Sequence, residues 1–446
     1  MSLPRLLRNG LRYWRAFGTR ALVRELQRRL TTPLPPGMTV AHLPPPEPAA
    51  GRNAPPQPAQ ALLNARFSQA APMTVFTVPR DGAPRISIVT DSINKGSLFG
   101  GVGTAMLLAA LLVRQRGARL RIITRTEPAQ GANLQAVLSL YGITIEGEVE
   151  FSFAHVNAPQ SSVNVYPDEL FITTSWWTTA STLAAIAPQR ILYVLQEDER
   201  MFYPGGDDQL RAEQVLGHAG VHVAVNTHGL LQHLLATGLP QLQGRAVAFE
   251  PAFPASVYAP QARPAGSKPR LMFYARPNHL RNLFYFGLQV IDQAVARGVI
   301  DPAQWEIHFV GAHIPPVALC DGTVPQRHEH LAWRDYASLA GSIDVALSLM
   351  ATPHPSYPPL DLAASGAVVV TNRWGNKTDL SAYCGNIVCA DLELEPMLTA
   401  LREAIALARD AAERQRRFET RGLQRDWATA MAPVLQRFGR PGDAWA

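Results

Sequence analysis

Short apolar segments alternate with predicted helices along most of the chain after residue 84. Strands that alternate with helices are typical of parallel sheets covered on both faces. The Pro- and Ala-rich segment 255–269 separates two such series and is a predicted hinge. The first series of predicted strands covers 85–92, 120–126, 169–178, 190–198, 221–228 and 245–253, and the second covers 270–276, 305–312, 336–350 (a helix running into a strand), 366–372 and 385–390.

The two series predict an α/β protein of two Rossmann-like, doubly wound domains, at 85–255 and 268–420, which face each other across a cleft. The last segment, 421–446, is predicted to contain a helix that crosses back to the first domain. Ligands of such sheets bind outside the carboxyl ends of the strands. The candidate residues are therefore those that follow predicted strands.

The first 84 residues differ from the rest. Six apolar residues between Leu3 and Phe17 share one face of a predicted helix, and four arginines between Arg5 and Arg15 share the other. Residues 1–30 are thus predicted to form a basic amphipathic helix that binds an anionic membrane surface or packs on the protein's own surface. Residues 31–84 contain thirteen prolines and predict an extended linker, with order beginning at Arg85.

Charge and cysteine content narrow the classes of function. The net charge of +6 comes from residues 1–30, which hold eight arginines and one glutamate, so the domains give no indication of nucleic-acid binding. Cys320, Cys384 and Cys389 lack CxxC spacing and are predicted to be reduced thiols of a cytosolic protein, not a zinc site. The sequence predicts neither a spanning helix nor a signal peptide.

The stretch "HPSYPPLD" (354–361) follows a predicted strand and opens a predicted helix at residues 360–361. Pro358 and Pro359 favour a helix start, and the free amides near Ser356 and Tyr357 would attract phosphate. Asp361 is predicted in the first turn, where it would accept hydrogen bonds from a ribose; alternatively, it caps its own helix.

Two arginines follow the first strand of the second series. Arg276 and Arg281, beside Asn282, would hold a diphosphate by charge-assisted hydrogen bonds, or they are solvated loop residues. A glycine-rich turn follows the first strand of the first series and includes Gly100, Gly101 and Gly103. Its spacing fits neither the dinucleotide fingerprint nor a phosphate-binding P-loop.

The predicted acceptor site lies at strand ends of the first domain. Trp176 and Trp177 would stack on a sugar ring, or they are core aromatics. Gln196, Glu197 and Asp198 would bind acceptor hydroxyls, or they cap a loop.

From about residue 85 the chain resembles GT-B glycosyltransferases of the retaining class. Five residues occupy the places of that class's glycine loop, diphosphate ligands, ribose ligand and following glycine: Gly101, Arg276, Arg281, Asp361 and Gly366. The blocks "FYARPNHLRN", "WRDYASLAGSIDVALSLM", "HPSYPPLDLAASG" and "YVLQEDERMFYP" resemble rhamnosyltransferases that build bacterial surface rhamnans from dTDP-rhamnose. Two positions depart from the class: Pro353, beside His354, replaces a glutamate, and Asp361 is one methylene shorter than glutamate.

The resemblance implies a retaining, metal-independent transfer of rhamnose from dTDP-rhamnose to a hydroxyl of a glycan or lipid-linked glycan. Arg276 and Arg281 would stabilise the leaving diphosphate, and His354 would contact the sugar or the phosphate. No metal or other cofactor is expected. The expected location is cytoplasmic, with residues 1–30 on the inner face of the membrane if they bind it. The alternatives are a non-catalytic nucleotide-sugar or glycan binder and a two-domain NAD-type oxidoreductase.

Overall fold

The computed structural model describes residues 58–94, 100–158, 161–419, 422–442 and 444–445. The predicted basic helix and most of the predicted linker lie outside these residues. The chain divides into two units, Met1–Phe67 and Ser68–Ala446. In the described part of the first unit, residues 59–66 form one helix. No described helix is long and apolar enough to span a bilayer.

The strands are β1 (Thr74–Thr77), β2 (Arg85–Thr90), β3 (Arg119–Thr124), β4 (Glu150–Phe153), β5 (Ser162–Val165), β6 (Leu170–Thr173), β7 (Ile191–Leu195), β8 (His222–Asn226), β9 (Ala246–Phe249), β10 (Arg270–Ala275), β11 (Glu306–Gly311), β12 (Gln326–Glu329), β13 (Val345–Leu347), β14 (Val368–Asn372) and β15 (Ile387–Ala390). The α-helices are α1 (Ala59–Arg66), α2 (Gly101–Arg116), α3 (Gly131–Leu140), α4 (Trp176–Leu183), α5 (Asp207–Leu216), α6 (His228–Ala236), α7 (Phe284–Ala296), α8 (Trp333–Gly341), α9 (Tyr357–Ala364), α10 (Leu394–Arg409), α11 (Ala411–Glu419), α12 (Trp427–Ala430) and α13 (Ala432–Phe438).

Two parallel sheets form the frame of the unit Ser68–Ala446. The first has seven strands in the order β4-β3-β2-β6-β7-β8-β9, and the second has six in the order β12-β11-β10-β13-β14-β15. In each sheet the strand that comes first in the chain, β2 or β10, lies inside the sheet. The next strands are added on one side of it and the later strands on the other, which is the doubly wound pattern. The α/β class with two Rossmann-like sheets is thus confirmed.

Burial explains why the strands read as continuous apolar runs. Every residue of β2, β7 and β14 is buried, because helices cover both faces of a parallel sheet. The helix α2 is apolar around most of its circumference and is buried from Gly103 to Val113. It packs between the first sheet and the C-terminal segment, whose Met431, Phe438 and Trp445 belong to the same core.

The chain crosses between the sheets twice, once after β9 and once before α12. The crossings contact each other: Ala252 and Gln424 form a parallel bridge, and the amide of Phe253 donates to the carbonyl of Gln424 at 2.8 Å. Arg425 donates to the carbonyls of Phe253, at 2.7 Å, and Ala364, at 3.1 Å. The hinge therefore consists of two hydrogen-bonded chain segments, one of which also holds the C-terminal end of α9.

The prediction that order begins at Arg85 was wrong. Thr74–Thr77 forms β1, which pairs in parallel with β5 in a separate two-stranded sheet. Met73 and Val163 beside it join the core under the first sheet. The predicted strand 169–178 is also too long, since Ser175 caps α4 by accepting a hydrogen bond from the amide of Thr178.

Candidate functional site

The site is built where the two sheets approach each other, around Tyr357 at the start of α9. The Tyr357 hydroxyl lies 2.5 Å from Oγ1 of Thr104 and accepts a hydrogen bond from Nδ2 of Asn226 at 2.9 Å. It also donates to Oε1 of Gln196 at 3.3 Å. Gln196 and Asn226 lie at the carboxyl ends of β7 and β8, and Thr104 lies in α2, so all three belong to the first domain. One phenol therefore connects the two domains across the cleft.

Removal of this hydroxyl should loosen the interdomain contact. We expect Tyr357→Phe to lower the thermal unfolding midpoint by about 2–6 °C, because Thr104 and Asn226 would lose a partner in a site with little water. The matched control is Tyr285→Phe, whose side chain is exposed. Equal midpoints for both variants would contradict the role assigned to the Tyr357 hydroxyl.

A half-buried ion pair spans the same cleft. Nη1 of Arg281, which follows β10, lies 3.3 Å from Oε2 of Glu197, which follows β7. The Arg281 guanidinium also lies over the ring of Phe202, 4.2 Å from its centroid. Burial lowers the pKa of Arg281, but a guanidinium stays charged at physiological pH. A fixed positive charge thus faces the cleft.

The carboxyl groups beside this cation are partly protonated near neutral pH. Burial raises the pKa of Glu197 to about 7 and that of Glu199 to about 8. Glu199 accepts a hydrogen bond from the amide of Trp176 at 2.6 Å. Asp198 is instead held by Arg200, with 2.8 Å between Oδ2 and Nη2. Of the three acids in a row, Glu197 is the one that faces the second domain's arginine.

His354 directs a hydrogen-bond donor into the site. Its Nδ1 accepts from the amide of Ser356 at 2.9 Å, so the neutral ring carries its proton on Nε2. Burial and then the charges of Lys377 and Arg281 lower the pKa of His354 to about 3, so the ring is neutral. Nε2 is buried and has no hydrogen-bond partner among the described residues. Ser356 has a φ of +70°, a strained value for this residue type, which is common where a chain shapes a binding site.

Asp361 lies deeper than predicted. The helix begins at Tyr357, with both prolines in its first turn, so Asp361 falls in the second turn; the first-turn prediction was wrong. The prolines fit there because first-turn amides have no partner within a helix. Burial raises the pKa of Asp361 to about 8, and the hydroxyls of Tyr258 and Tyr336 limit this rise. Tyr336 donates to Oδ2 at 3.4 Å, and Oδ1 makes no hydrogen bond of normal geometry in the described structure.

Gly100, Gly101 and Gly103 lie at the start of α2, beside the same cleft. Gly100 has a φ of +67° and precedes α2, and Gly103 is buried inside that helix. A Cβ at Gly101 would lie 2.9 Å from Cγ of Gln196, so a side chain here would displace this residue. The glycines therefore let the start of α2 approach the residues that follow β7.

The remaining predicted ligands divide into two groups. Arg276 lies at the rim, where its Nη2 is 2.7 Å from Nε2 of His279. Asn282 is buried and donates to the carbonyl of Leu349 at 3.3 Å. Trp176 is buried and donates to the hydroxyl of Tyr203, whereas the half-buried Trp177 donates to Asp91. The structure therefore gives packing contacts to Asn282, Trp176 and Asp198 and leaves Arg276 and Trp177 at accessible positions.

Three contributors to the site were missed from the sequence. Thr104 and Asn226 are neutral residues whose importance appears only through Tyr357. Lys377 follows β14; its Nζ donates to the carbonyl of Met350 at 2.8 Å, and burial lowers its pKa to about 8. The sequence could have indicated Lys377 as it indicated Arg281, because both residues follow a strand of the second sheet.

Comparison with known proteins links this site to a family. Residues 85–228 match the model of the WsaF N-terminal domain, and residues 269–402 match that of the WsaF C-terminal domain. The chain is also 28% identical over 327 residues to the O-antigen biosynthesis protein RfbC of Myxococcus xanthus. That match covers 72% of this chain and about a quarter of the length of the relative.

Solved structures share the fold at low identity. Sucrose-phosphate synthase from Thermosynechococcus elongatus superposes with a TM-score of 0.53 at 13% identity, over 79% of this chain and 98% of that one. Anabaena HepE in complex with UDP-glucose gives 0.52 at 13%, over 79% and 98%. The UDP-forming trehalose-phosphate synthase of Burkholderia vietnamiensis gives 0.53 at 13%, over 80% and 99%. These likenesses confirm the predicted GT-B fold. Because the two WsaF domain models together match more than half of the chain in the expected order, the chain belongs to the WsaF family.

Proposed function

We propose that this protein is a glycosyltransferase that moves a sugar from a nucleoside diphosphate to a hydroxyl of a bacterial surface polysaccharide. The observation that carries the proposal is the convergence of Arg281 and the Nε2–H of His354 on one interdomain cleft. Both are fixed donors with little water around them, as an anionic leaving group requires.

The chemistry follows from where charge develops. Cleavage of the anomeric C–O bond leaves negative charge on the diphosphate, and preorganised donors stabilise that charge more in the transition state than in the ground state. Arg281 supplies a delocalised cation, Lys377 a second buried positive charge when it is protonated, and His354 a neutral N–H donor. Arg276, at the rim of the cleft, is the fourth donor. The unpartnered Oδ1 of Asp361 is suited to accept from a ribose hydroxyl.

The finer proposal is a retaining, metal-independent transfer of rhamnose from dTDP-rhamnose to a glycan or lipid-linked glycan. Support comes from the quoted sequence blocks and from the WsaF domain matches. The Myxococcus relative is named for O-antigen biosynthesis, and the HepE structure holds UDP-glucose, which favours a nucleotide-sugar donor and a polysaccharide product. Arginine and lysine side chains would take the place of a metal. Residues 1–30 would keep the enzyme at the inner membrane surface, close to a lipid-linked acceptor.

The experiment that tests the proposal is a titration of the protein, without metal, with dTDP, UDP, GDP or NAD. Binding is measured by thermal shift and by calorimetry. We expect selective stabilisation by dTDP, with a shift that grows with nucleotide concentration, because a ligand that binds only the folded state stabilises it. Selective stabilisation by UDP or GDP would keep the transferase but replace the donor. Stabilisation by NAD alone would contradict the proposed function and favour an oxidoreductase.

A non-catalytic binder is distinguished by turnover. We expect release of dTDP from dTDP-rhamnose when membranes that contain rhamnose glycans are added. Tight binding of dTDP without any release would show that the cleft binds the nucleotide sugar and transfers nothing.

A further inference from the structure

Glu197 is a buried acid whose nearest cation is the arginine proposed to bind the donor. It is 7% exposed, and its Oε2 lies 3.3 Å from Nη1 of Arg281. Glu197 belongs to the first domain and Arg281 to the second, so the pair is formed across the cleft. A diphosphate that binds Arg281 must approach this carboxylate.

The charges around Glu197 come from several elements. Arg281 follows β10, and Lys377 follows β14; both act on Glu197 as positive charges. On its own segment, Asp198 is neutralised by Arg200, and by His233 at 3.3 Å when that ring is protonated. The other titratable groups near Glu197 are the buried acid Glu199 and the neutral ring of His354. Glu197 thus depends on two cations, and both are of the kind that an anionic ligand would bind.

Donor binding changes this balance. A diphosphate at Arg281 brings negative charge within a few ångströms of Glu197, and it neutralises the cation that kept the carboxylate ionised. A like charge in a buried site disfavours the ionised form of a carboxyl group. Burial, opposed by the charge of Arg281, already holds the pKa of Glu197 at about 7, so a modest further rise is enough for protonation above neutral pH.

We propose that Glu197 is a positioning residue that holds Arg281 at the cleft in the donor-free protein and releases it to the donor diphosphate by taking up one proton from solvent. The inference rests on the proposed function, because it requires a diphosphate at Arg281. No bond other than the carboxyl O–H forms in this step.

The proton has a measurable consequence for affinity. A complex that takes up a proton binds more tightly as pH falls, until the free protein is itself protonated. Between the pKa of free Glu197, about 7, and the higher pKa in the complex, dTDP affinity should fall close to tenfold per pH unit as pH rises. Below pH 7 this dependence on Glu197 should disappear.

The test is calorimetry of dTDP binding to the full chain at pH 8, in two buffers with different enthalpies of ionisation. At this pH the terminal phosphate of dTDP is ionised, since its pKa is near ~6. His279, whose pKa is lowered to about 4, contributes little. We expect the wild type to take up at least half a proton per dTDP more than Glu197→Gln, in which Lys377 accounts for the uptake that remains.

Glu199→Gln is the matched control, because it removes a neighbouring buried acid that is bonded to a backbone amide rather than to Arg281. It should retain the proton uptake. Equal uptake in the wild type and in Glu197→Gln would overturn the proposal, as would dTDP binding without uptake in the wild type. If Glu197→Gln fails to fold, the pH dependence of wild-type affinity between pH 7.5 and 9 decides: a flat profile overturns the proposal. Failure of every nucleotide to bind would instead overturn the proposed function itself.

Discussion

Arg281→Ala should reduce sugar transfer by roughly 10²–10³-fold while the fold survives. The magnitude is that of one preorganised donor lost from an anionic transition state, about 3–4 kcal/mol. Affinity for dTDP should also fall, because the same guanidinium binds the ground-state diphosphate. The measurement is release of dTDP from dTDP-rhamnose together with calorimetry of dTDP binding.

Two controls make this result specific. Arg297→Ala removes a surface arginine of the same domain, paired with Glu395, and should leave transfer unchanged. Arg281→Lys keeps the charge but loses the planar fork, so intermediate activity is expected. Wild-type turnover in Arg281→Ala, with intact circular dichroism, would remove Arg281 from the catalytic site.

Trp445→Ala should destabilise the first domain by about 3–5 kcal/mol, the range for truncation of a buried aromatic. The side chain is fully buried, and its Nε1 donates to the carbonyls of Arg190, at 3.0 Å, and Phe171, at 3.2 Å. The Arg116 guanidinium lies 5.0 Å from its ring centroid. The loss therefore includes packing, one indole N–H shared between two carbonyls, and a cation–π contact.

Urea unfolding followed by circular dichroism measures this effect, with Tyr285→Ala as the control. Tyr285 is 73% exposed, and its truncation should change the unfolding free energy by less than about 0.5 kcal/mol. The two variants should differ by several kcal/mol. Similar unfolding curves would show that the C-terminal segment contributes little to the first domain.

Much of the fold was predictable because buried parallel strands are long apolar runs. The six-residue strands β2, β10 and β11 were each predicted to within two residues at either end. The strands β4, β5 and β12 were missed, because each has four residues and several side chains on its exposed face. The sequence of a short, half-exposed strand differs little from that of a loop. Such a strand forms where a neighbouring strand offers hydrogen bonds to its backbone.

The candidate site was predicted in part, for a related reason. Arg281 and Glu197 follow strands, and the carboxyl ends of parallel strands meet at one edge of a sheet. Their contact depends on how the two domains face each other, which no local pattern contains. Thr104 and Tyr357 are 253 residues apart in the chain, and their hydrogen bond is likewise a property of the assembled cleft. Asp361 was misplaced because a Pro-Pro pair marks a helix start without fixing which residue comes first.

The return of the chain to the first sheet sets an order for folding during synthesis. The second sheet and its helices are continuous from β10 to α11, so the core of this domain is complete once Leu423, just after that stretch, has been made. The first domain must wait for Met431, Phe438 and Trp445. At about 5–20 residues per second, the chain between β9 and α13 takes roughly 10–40 s to synthesise. During that interval the apolar helix α2 lacks its outer cover, so the nascent first domain exposes apolar surface for longer than the second.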